Sequence, residues 1–329
     1  MRAKIAAILL AVAASRAEAA PLQYLSGAGL KAAPVVALTW GVLIVSLAVI
    51  VIIAVLLSAA IWRRPSLRLE LGGHGPVLPD AGGVNWLWIG VGLSALTMLL
   101  TIIWTVKVLA EIQAPEAKPA VTIEITGRQW WWQARYIGND ASQTFLTANE
   151  IHIPAGMPVR LKLMGGDVIH SFWVPQLAGK MDAIPGQVNE TWIEASNPGI
   201  YLGQCTEYCG QQHAHMALRV VADAPSAFRA WWAHQLIAPT ASEGHQTFED
   251  QCGRCHAVRG TSATGTMGPD LSHLMQRRTI ASGLLPNDAN DLDRWIADPP
   301  ALKPGTLMPS VKLTDDQRER IGAYLVSLQ

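Results

Sequence analysis

Two long stretches without a charged residue constrain this chain most. They run from Ala32 to Trp62 and from Ala81 to Val106. Each exceeds the roughly 20 apolar residues that a helix needs to cross the hydrocarbon core of a bilayer. Two buried core helices of a soluble protein are the alternative, but such helices are usually shorter and carry some charge. The sequence therefore predicts a transmembrane hairpin over residues 32–110, with helices at 35–61 and 84–108.

A shorter apolar run lies at the N-terminus. Residues 5–14 are apolar, follow Arg2 and Lys4, and precede a small-residue pattern that ends at Ala19. This run is too short to span a bilayer, and its flanks are typical of a cleavable export signal. We expect a signal peptide over residues 1–19.

The charges beside the apolar stretches predict the orientation of the hairpin. Arg63, Arg64 and Arg68 lie between the two stretches, whereas Lys107 follows the second. Loops rich in arginine and lysine stay in the cytoplasm. The segment after Lys107 should therefore lie on the exported side of a bacterial inner membrane.

The charge balance limits the class of partner. The chain has 329 residues, with 25 Lys and Arg against 25 Asp and Glu, so its formal net charge is zero. Proteins that bind nucleic acid usually carry an excess of positive charge. We expect a membrane partner and no nucleic-acid partner.

The middle of the chain is predicted to be rich in strands. Between residues 119 and 222, short β-rich segments alternate with Gly and Pro turn residues. The predicted strands are Val121–Thr126, Glu150–Ile153, Val159–Leu163, Glu190–Ile193 and Ala217–Val221. This pattern predicts a small all-β sandwich or barrel.

This middle region holds two of the four cysteines of the chain, Cys205 and Cys209. A disulfide would suit an exported protein, but it would not require the neighbouring ligand types. Thiolate and thioether ligands favour copper, and two cysteines four residues apart can bridge two metal ions. The candidate copper ligands are His170, Cys205, Glu207 (through its backbone carbonyl), Cys209, His213 and Met216.

The pattern Val168-Ile-His170-Ser-Phe, followed by Cys205-x-Glu207-x-Cys209-Gly-x-x-His213-x-x-Met216, resembles that of cytochrome c oxidase subunit II. The resemblance covers roughly residues 34–222. It implies a cupredoxin-like Greek-key sandwich whose dinuclear copper centre, CuA, receives electrons from cytochrome c. It also implies that CuA passes electrons to haem a in subunit I, and that subunit III belongs to the same complex.

The resemblance also bears on the Glu207 carboxylate, Trp130 and Asn85. It places a magnesium ion on the Glu207 carboxylate at the interface with subunit I, where a hard cation suits an oxygen ligand. It places Trp130, in Gly127-Arg-Gln-Trp130, on the route by which electrons reach the copper; packing at the membrane surface is the alternative. Asn85 stands where the family commonly has a glutamate proposed as a proton entrance, and asparagine cannot ionise.

The other two cysteines lie in the last third of the chain. Cys252-Gly-Arg-Cys255-His256 is the attachment sequence of a c-type haem, in which the imidazole ligates iron. A redox-active dithiol or half of a zinc site is the alternative. Residues 243–329 also resemble an all-α class I cytochrome c, with residues 223–242 as a linker.

The resemblance to class I cytochrome c also bears on the sixth iron ligand, for which Met267, Met275 and Met308 are candidates. Met308 lies on a loop shortly before the last helix, as the axial methionine does in class I cytochromes c. We therefore predict Met308 as the sixth ligand.

These features together predict subunit II of a haem-copper terminal oxidase with a fused cytochrome c domain. An upstream cytochrome or bc1-type complex would reduce the haem, which would reduce CuA, and the complex would reduce oxygen to water and transport protons. A membrane-anchored copper chaperone usually has one span and a thioredoxin-like fold, and the Met216 ligand, the second histidine and the haem motif of this chain count against it. Nitrous oxide reductase shares the CuA motif but needs a propeller-sized partner domain, and quinol oxidase subunits lose the copper ligands.

Overall fold

The computed structural model describes residues 22–62, 83–240 and 242–329. The predicted signal peptide lies outside these described residues, as do Arg63, Arg64 and Arg68 between the two apolar stretches.

Two long helices precede the folded domains. Helices α1 (Ala33–Trp62) and α2 (Gly83–Ile112) have 30 residues each and are long and apolar enough to cross a membrane. Gly41 of α1 lies directly beneath the ring of Trp104 in α2, where a side-chain carbon would collide with the indole. The absence of a side chain at Gly41 therefore lets the two helices approach closely.

A sandwich of two five-stranded β-sheets follows, as the sequence predicts. In spatial order the first sheet contains β3 (Phe145–Ala148), β2 (Trp131–Ile137), β1 (Val121–Arg128), β5 (Val159–Gly165) and β8 (Asn189–Ile193). The second contains β4 (Glu150–Pro154), β10 (Ala217–Asp223), β9 (Gly199–Cys205), β6 (His170–Trp173) and β7 (Met181–Ala183). Pairs β1/β5 and β4/β10 are parallel, and the other pairs are antiparallel.

The core of the sandwich lies between the sheets, where alternate residues of each strand point inward. Ile123 and Ile125 of β1, and Trp132 and Tyr136 of β2, have no solvent-exposed surface. Burying an apolar side chain of this size contributes about 1.5–3 kcal/mol to folding. This alternation explains why the strands keep one register.

The segment after the sandwich contains a helix that packs against it. Helix α3 (Pro225–Gln235) places Trp231 and Trp232 edge-on to the ring of Tyr136, with centroids 5.1 and 5.5 Å away. Phe228 on the same helix is buried in the sandwich core. Much of the predicted linker is therefore attached to the sandwich by aromatic packing.

The last region is a small helical domain, as predicted. Its helices are α4 (His245–Cys252), α5 (Ala289–Ala297), α6 (Pro299–Leu302) and α7 (Asp315–Ser327). A two-residue antiparallel ladder joins β11 (Thr279–Ile280) and β12 (Leu285–Pro286).

Helices α4 and α7 cross closely in this domain. Gly244 immediately precedes α4, and a side chain on it would collide with the Arg320 carbonyl of α7. Phe248 and Tyr324 pack where the helices meet, with ring centroids 5.3 Å apart. Thr314 caps α7 through a reciprocal capping box with Gln317.

Candidate metal centres

Two neighbouring strands and one loop position the copper-ligand candidates. His170 begins β6, and Cys205 ends β9, which pairs with β6. The loop between Cys205 and Ala217 carries the remaining four candidates. This topology explains how His170 reaches residues that follow it by more than 30 positions.

The structure brings the other four ligand candidates around the sulfur atoms of Cys205 and Cys209. The Cys205 and Cys209 Sγ atoms lie 3.8 Å apart. The Cys205 sulfur lies 4.0 Å from His170 Nδ1 and 3.3 Å from the Glu207 carbonyl oxygen. On the other side, the Cys209 sulfur lies 3.5 Å from His213 Nδ1 and 3.8 Å from Met216 Sδ.

This donor set fits a pair of copper ions. Each sulfur has one imidazole nitrogen and one weaker donor beside it, and the sulfurs are close enough to be shared by two ions. His170, Cys205, Cys209 and Met216 are buried, so the polarizable ligands lie in a dry environment. Soft thiolate and thioether ligands together with imidazole select copper.

The two thiols of this centre cannot ionise independently. The pKa of Cys205 is lowered, chiefly because Cys209 donates a hydrogen bond to its sulfur. The same hydrogen bond and burial raise the pKa of Cys209. Without a metal ion one thiolate is therefore favoured, and a bound cation would stabilise the second.

Asp167 fixes the ring of His170. Its Oδ1 accepts a hydrogen bond from His170 Nε2 at 2.8 Å, and its Oδ2 accepts one from the Gln129 backbone N–H at 2.7 Å. Holding the proton on Nε2 leaves Nδ1 free to face Cys205. Carboxylates commonly orient metal-binding histidines in this way.

Trp130 lies directly beside the copper-ligand loop. Its Nε1 donates a hydrogen bond to the Cys209 carbonyl at 2.9 Å, and Gln129 Nε2 donates to the same oxygen at 2.7 Å. Only 8% of Trp130 is exposed. The indole is therefore held against the ligand loop and has little contact with solvent.

Glu207 contributes its backbone to the sulfur cluster and is itself half-buried. The magnesium ion predicted at its carboxylate stays a prediction. Asn85 is an exposed residue in the first turn of α2.

The haem motif lies at the end of α4, which Cys252 terminates. His256 Nδ1 lies 2.8 Å from the Pro269 carbonyl, the hydrogen bond expected of a haem-ligating histidine. Burial lowers the pKa of His256, which favours the neutral imidazole that binds iron. With Nδ1 engaged and both thiols nearby in sequence, these residues fit a covalently bound haem.

The three candidates for the sixth iron ligand differ in environment. Met267 is 72% exposed, and Met275 packs against the core of the helical domain. Met308 is half-buried on the loop between α6 and α7. Its assignment as the ligand stays a prediction.

Sequence reasoning missed Lys303, which the structure places at the junction of the two domains. Its side chain is buried and contacts the backbone of Trp130 and of the copper-ligand loop. A lysine after a short helix carries no local signal of such a role.

Comparisons with known proteins give the families that the two folded domains resemble. Residues 138–223 match the family of the periplasmic domain of cytochrome c oxidase subunit II, and residues 241–329 match the cytochrome c family. Cytochrome c oxidase subunit 2 of Alkalihalophilus pseudofirmus is 36% identical over 255 residues, which cover 75% of this chain and 72% of that protein. The subunit 2 of Bacillus sp. strain PS3 is 30% identical, with 75% and 74% of the two chains covered.

A solved structure is also similar. The periplasmic domain of subunit II of cytochrome oxidase from Bradyrhizobium japonicum is 33% identical and covers 36% of this chain and 95% of its own, with a TM-score of 0.34.

Proposed function

This chain belongs to the cytochrome c oxidase subunit II family, with a cytochrome c domain at its C-terminus, and from this premise we propose that it is an electron conduit. Electrons would pass from a haem in its own C-terminal domain to a dinuclear CuA centre in the sandwich, and then to haem a in subunit I. The complex would reduce oxygen to water, while this chain makes and breaks no substrate bond.

One observation carries the proposal. Four donor atoms surround the sulfurs of Cys205 and Cys209, which makes six potential ligands in all, in the same chain as a haem-attachment motif. A catalytic metal site keeps one coordination position open for substrate, whereas such a ligand set leaves none. When bound, the copper pair and the haem would each take up and release one electron. The arrangement therefore supports electron transfer rather than substrate chemistry.

The residues around the sulfurs have supporting roles. Asp167 holds His170 in the tautomer that presents Nδ1 to the sulfurs. Trp130 lies between the Cys209 carbonyl and the helical domain, which supports a place for it on the electron route. The Pro269 carbonyl orients His256 in the same manner as Asp167 orients His170.

The chain would act within a larger complex. Subunit I would accept its electrons, subunit III would complete the membrane assembly, and an upstream cytochrome or bc1-type complex would reduce the haem. Glu207 would contribute its carboxylate to a magnesium ion shared with subunit I. Both folded domains would lie on the exported side of a bacterial inner membrane, and proton transport would belong to the complex.

The substitution Cys205→Ser in the assembled oxidase tests this function. It removes one shared sulfur, so we expect the copper signal in the electron paramagnetic resonance spectrum to disappear. The haem should still be reduced by the upstream donor and then stay reduced, because its acceptor is missing. Oxygen consumption at the normal rate in this variant would contradict the proposal.

A further inference from the structure

We propose that Lys303 fixes the helical domain in one orientation on the sandwich, so that the loop bearing Met308 covers Trp130. Only the significance of this docking for electron transfer rests on the proposed function. The docking itself is argued from contacts between the two domains.

All three hydrogen-bond donors of the Lys303 side chain have partners at the junction of the two domains. It is 3% exposed, and its Nζ donates to the carbonyls of Trp130 at 3.0 Å, His215 at 2.9 Å and Ala281 at 3.0 Å. An ammonium group has three donors, and each of them has a partner here. Burial lowers the pKa of Lys303 to about 8, so the group remains charged at neutral pH. A buried charge that lost these partners would be costly.

The carbonyls that receive Lys303 belong to the copper-binding region. His215 lies between the candidate ligands His213 and Met216, and Trp130 donates its own hydrogen bond to the Cys209 carbonyl. Ser282 of the helical domain also donates to the Trp130 carbonyl, at 2.7 Å. Two side chains from the helical domain therefore converge on one backbone oxygen of the sandwich.

The turn that supplies Ala281 and Ser282 has an unusual backbone. Ala281 has a φ of 52°, Ser282 of 63° and Gly283 of 86°. Residues other than glycine rarely adopt positive φ, and such conformations persist only where the surroundings hold them. Here the surroundings include Lys303 and Ala217, whose N–H donates to the Ser282 carbonyl at 3.2 Å. The contact between the domains thus helps to hold this conformation.

The segment leading to Met308 packs on Trp130. A side-chain carbon on Gly305, which has a φ of 86°, would lie 3.5 Å from Trp130 Cη2 and 2.6 Å from Gln211 Oε1. Gln212 Nε2 donates to the Pro304 carbonyl at 2.7 Å. The turn therefore lies in van der Waals reach of the indole, and its positive φ favours glycine at position 305.

Further hydrogen bonds extend the contact across a broad face. They join Arg219 to Thr279 at 2.5 Å, the Arg278 N–H to Glu150 at 3.1 Å and Arg259 to the Thr144 carbonyl at 3.0 Å. A domain on a flexible linker would instead sample many orientations around its attachment point. Because the helical domain covers Trp130, which is only 8% exposed, an external donor has no open face of this indole to contact.

Acetylation of the full chain with acetic anhydride, read by mass spectrometry, tests the docking without any metal. Lys312 is exposed in the same domain and is the internal control. Lys303 should react at least about tenfold more slowly than Lys312, because its exposure requires breaking charge-assisted hydrogen bonds. Equal reactivity of the two lysines would overturn the proposal.

Ser282→Ala provides a variant in which Lys303 remains present. It removes one donor to the Trp130 carbonyl, so Lys303 acetylation should rise severalfold. Ser310→Ala is the matched control, since Ser310 donates its hydrogen bond to Asp298 within the helical domain. No rise in Ser282→Ala, or an equal rise in both variants, would contradict the assigned contact.

Lys303→Met in the assembled oxidase tests the consequence for electron transfer. The haem absorption spectrum and the copper signal should persist, since Lys303 ligates neither centre. Transfer from haem to copper after rapid photoreduction should slow by at least about tenfold and become sensitive to solvent viscosity, because docking would now be transient. An unchanged rate without viscosity dependence would refute the positioning role. If Lys303 is protected from acetylation in a chain that binds no copper, the proposed function is wrong but the docking stands.

Discussion

Asp167 accepts a hydrogen bond from His170 Nε2 at 2.8 Å and thereby turns the other ring nitrogen toward Cys205. The same carboxylate accepts two backbone N–H groups, from Gln129 and Val168, so its own position is fixed. An acceptor held in this way restricts a histidine to one tautomer and one ring orientation.

Asp167→Ala should weaken copper binding. Loss of a carboxylate that orients a metal-binding histidine typically lowers metal affinity by about 10- to 100-fold. Competition with a copper chelator measures this change. Asp182→Ala is the control, because the Asp182 side chain pairs with the exposed Lys180 at the surface. Equal copper affinity in the two variants would show that Asp167 does not orient His170.

Trp130→Phe should slow the transfer of electrons from haem to copper. The substitution removes the hydrogen bond to the Cys209 carbonyl and retracts the ring from Gly305. Trp131→Phe is the matched control, since the Trp131 ring stacks near the Arg128 guanidinium instead. Flash photoreduction followed by optical detection measures both variants. If they slow transfer equally, the route does not pass through Trp130.

Met308→Ala should leave the haem covalently attached but change its sixth ligand. Thioether ligation raises the reduction potential of haem iron, so the variant should have a lower midpoint potential. Redox titration and the absorption spectrum measure the change, with Met267→Ala as the control because Met267 is exposed. A normal spectrum in Met308→Ala would direct the assignment to Met275 or Met267.

His152 should make stability depend on pH. Burial of its ring disfavours the charged form, but hydrogen bonds to Asp223, at 2.7 Å, and to Glu150 raise its pKa above 6.5 overall. His152 therefore binds its proton more tightly in the folded protein. Its stabilisation is complete below the unfolded pKa of about 6.5 and is lost as pH rises through the folded pKa.

Thermal unfolding of His152→Gln and of the unsubstituted protein at several pH values tests this direction of the pH dependence. The difference in unfolding temperature should be largest near pH ~6 and should shrink toward pH ~9. The opposite trend, or a difference that does not change with pH, would mean that His152 is not protonated in the fold.

Most residues of the copper and haem motifs could be identified from the sequence because they lie close together along the chain. Four copper-ligand candidates share one loop, and the structure places them together as the spacing predicts. Five strands could be predicted because their β-rich segments lie between clear turn residues. These are β1, β4, β5, β8 and β10. Strands β2, β3, β6, β7 and β9 were not predicted. All four residues of β6 lie within the His170 motif, and β9 ends at Cys205, where the ligand motif begins.

The junction between the domains was not predictable from the sequence. Lys303 lies 173 residues from Trp130 along the chain, and no periodicity connects them. The residue looks like an ordinary surface lysine, a type that is rarely buried. Contacts of this kind depend on how two finished domains fit together, so local patterns carry no information about them.

The copper and haem content of the purified full-length protein tests directly whether one chain carries both redox centres. We expect two copper ions and one covalently bound haem per chain. We also expect an electron paramagnetic resonance spectrum in which one unpaired electron is shared by two copper nuclei. A single copper ion with hyperfine splitting from one nucleus, or a chain whose haem is lost on denaturation, would contradict this expectation.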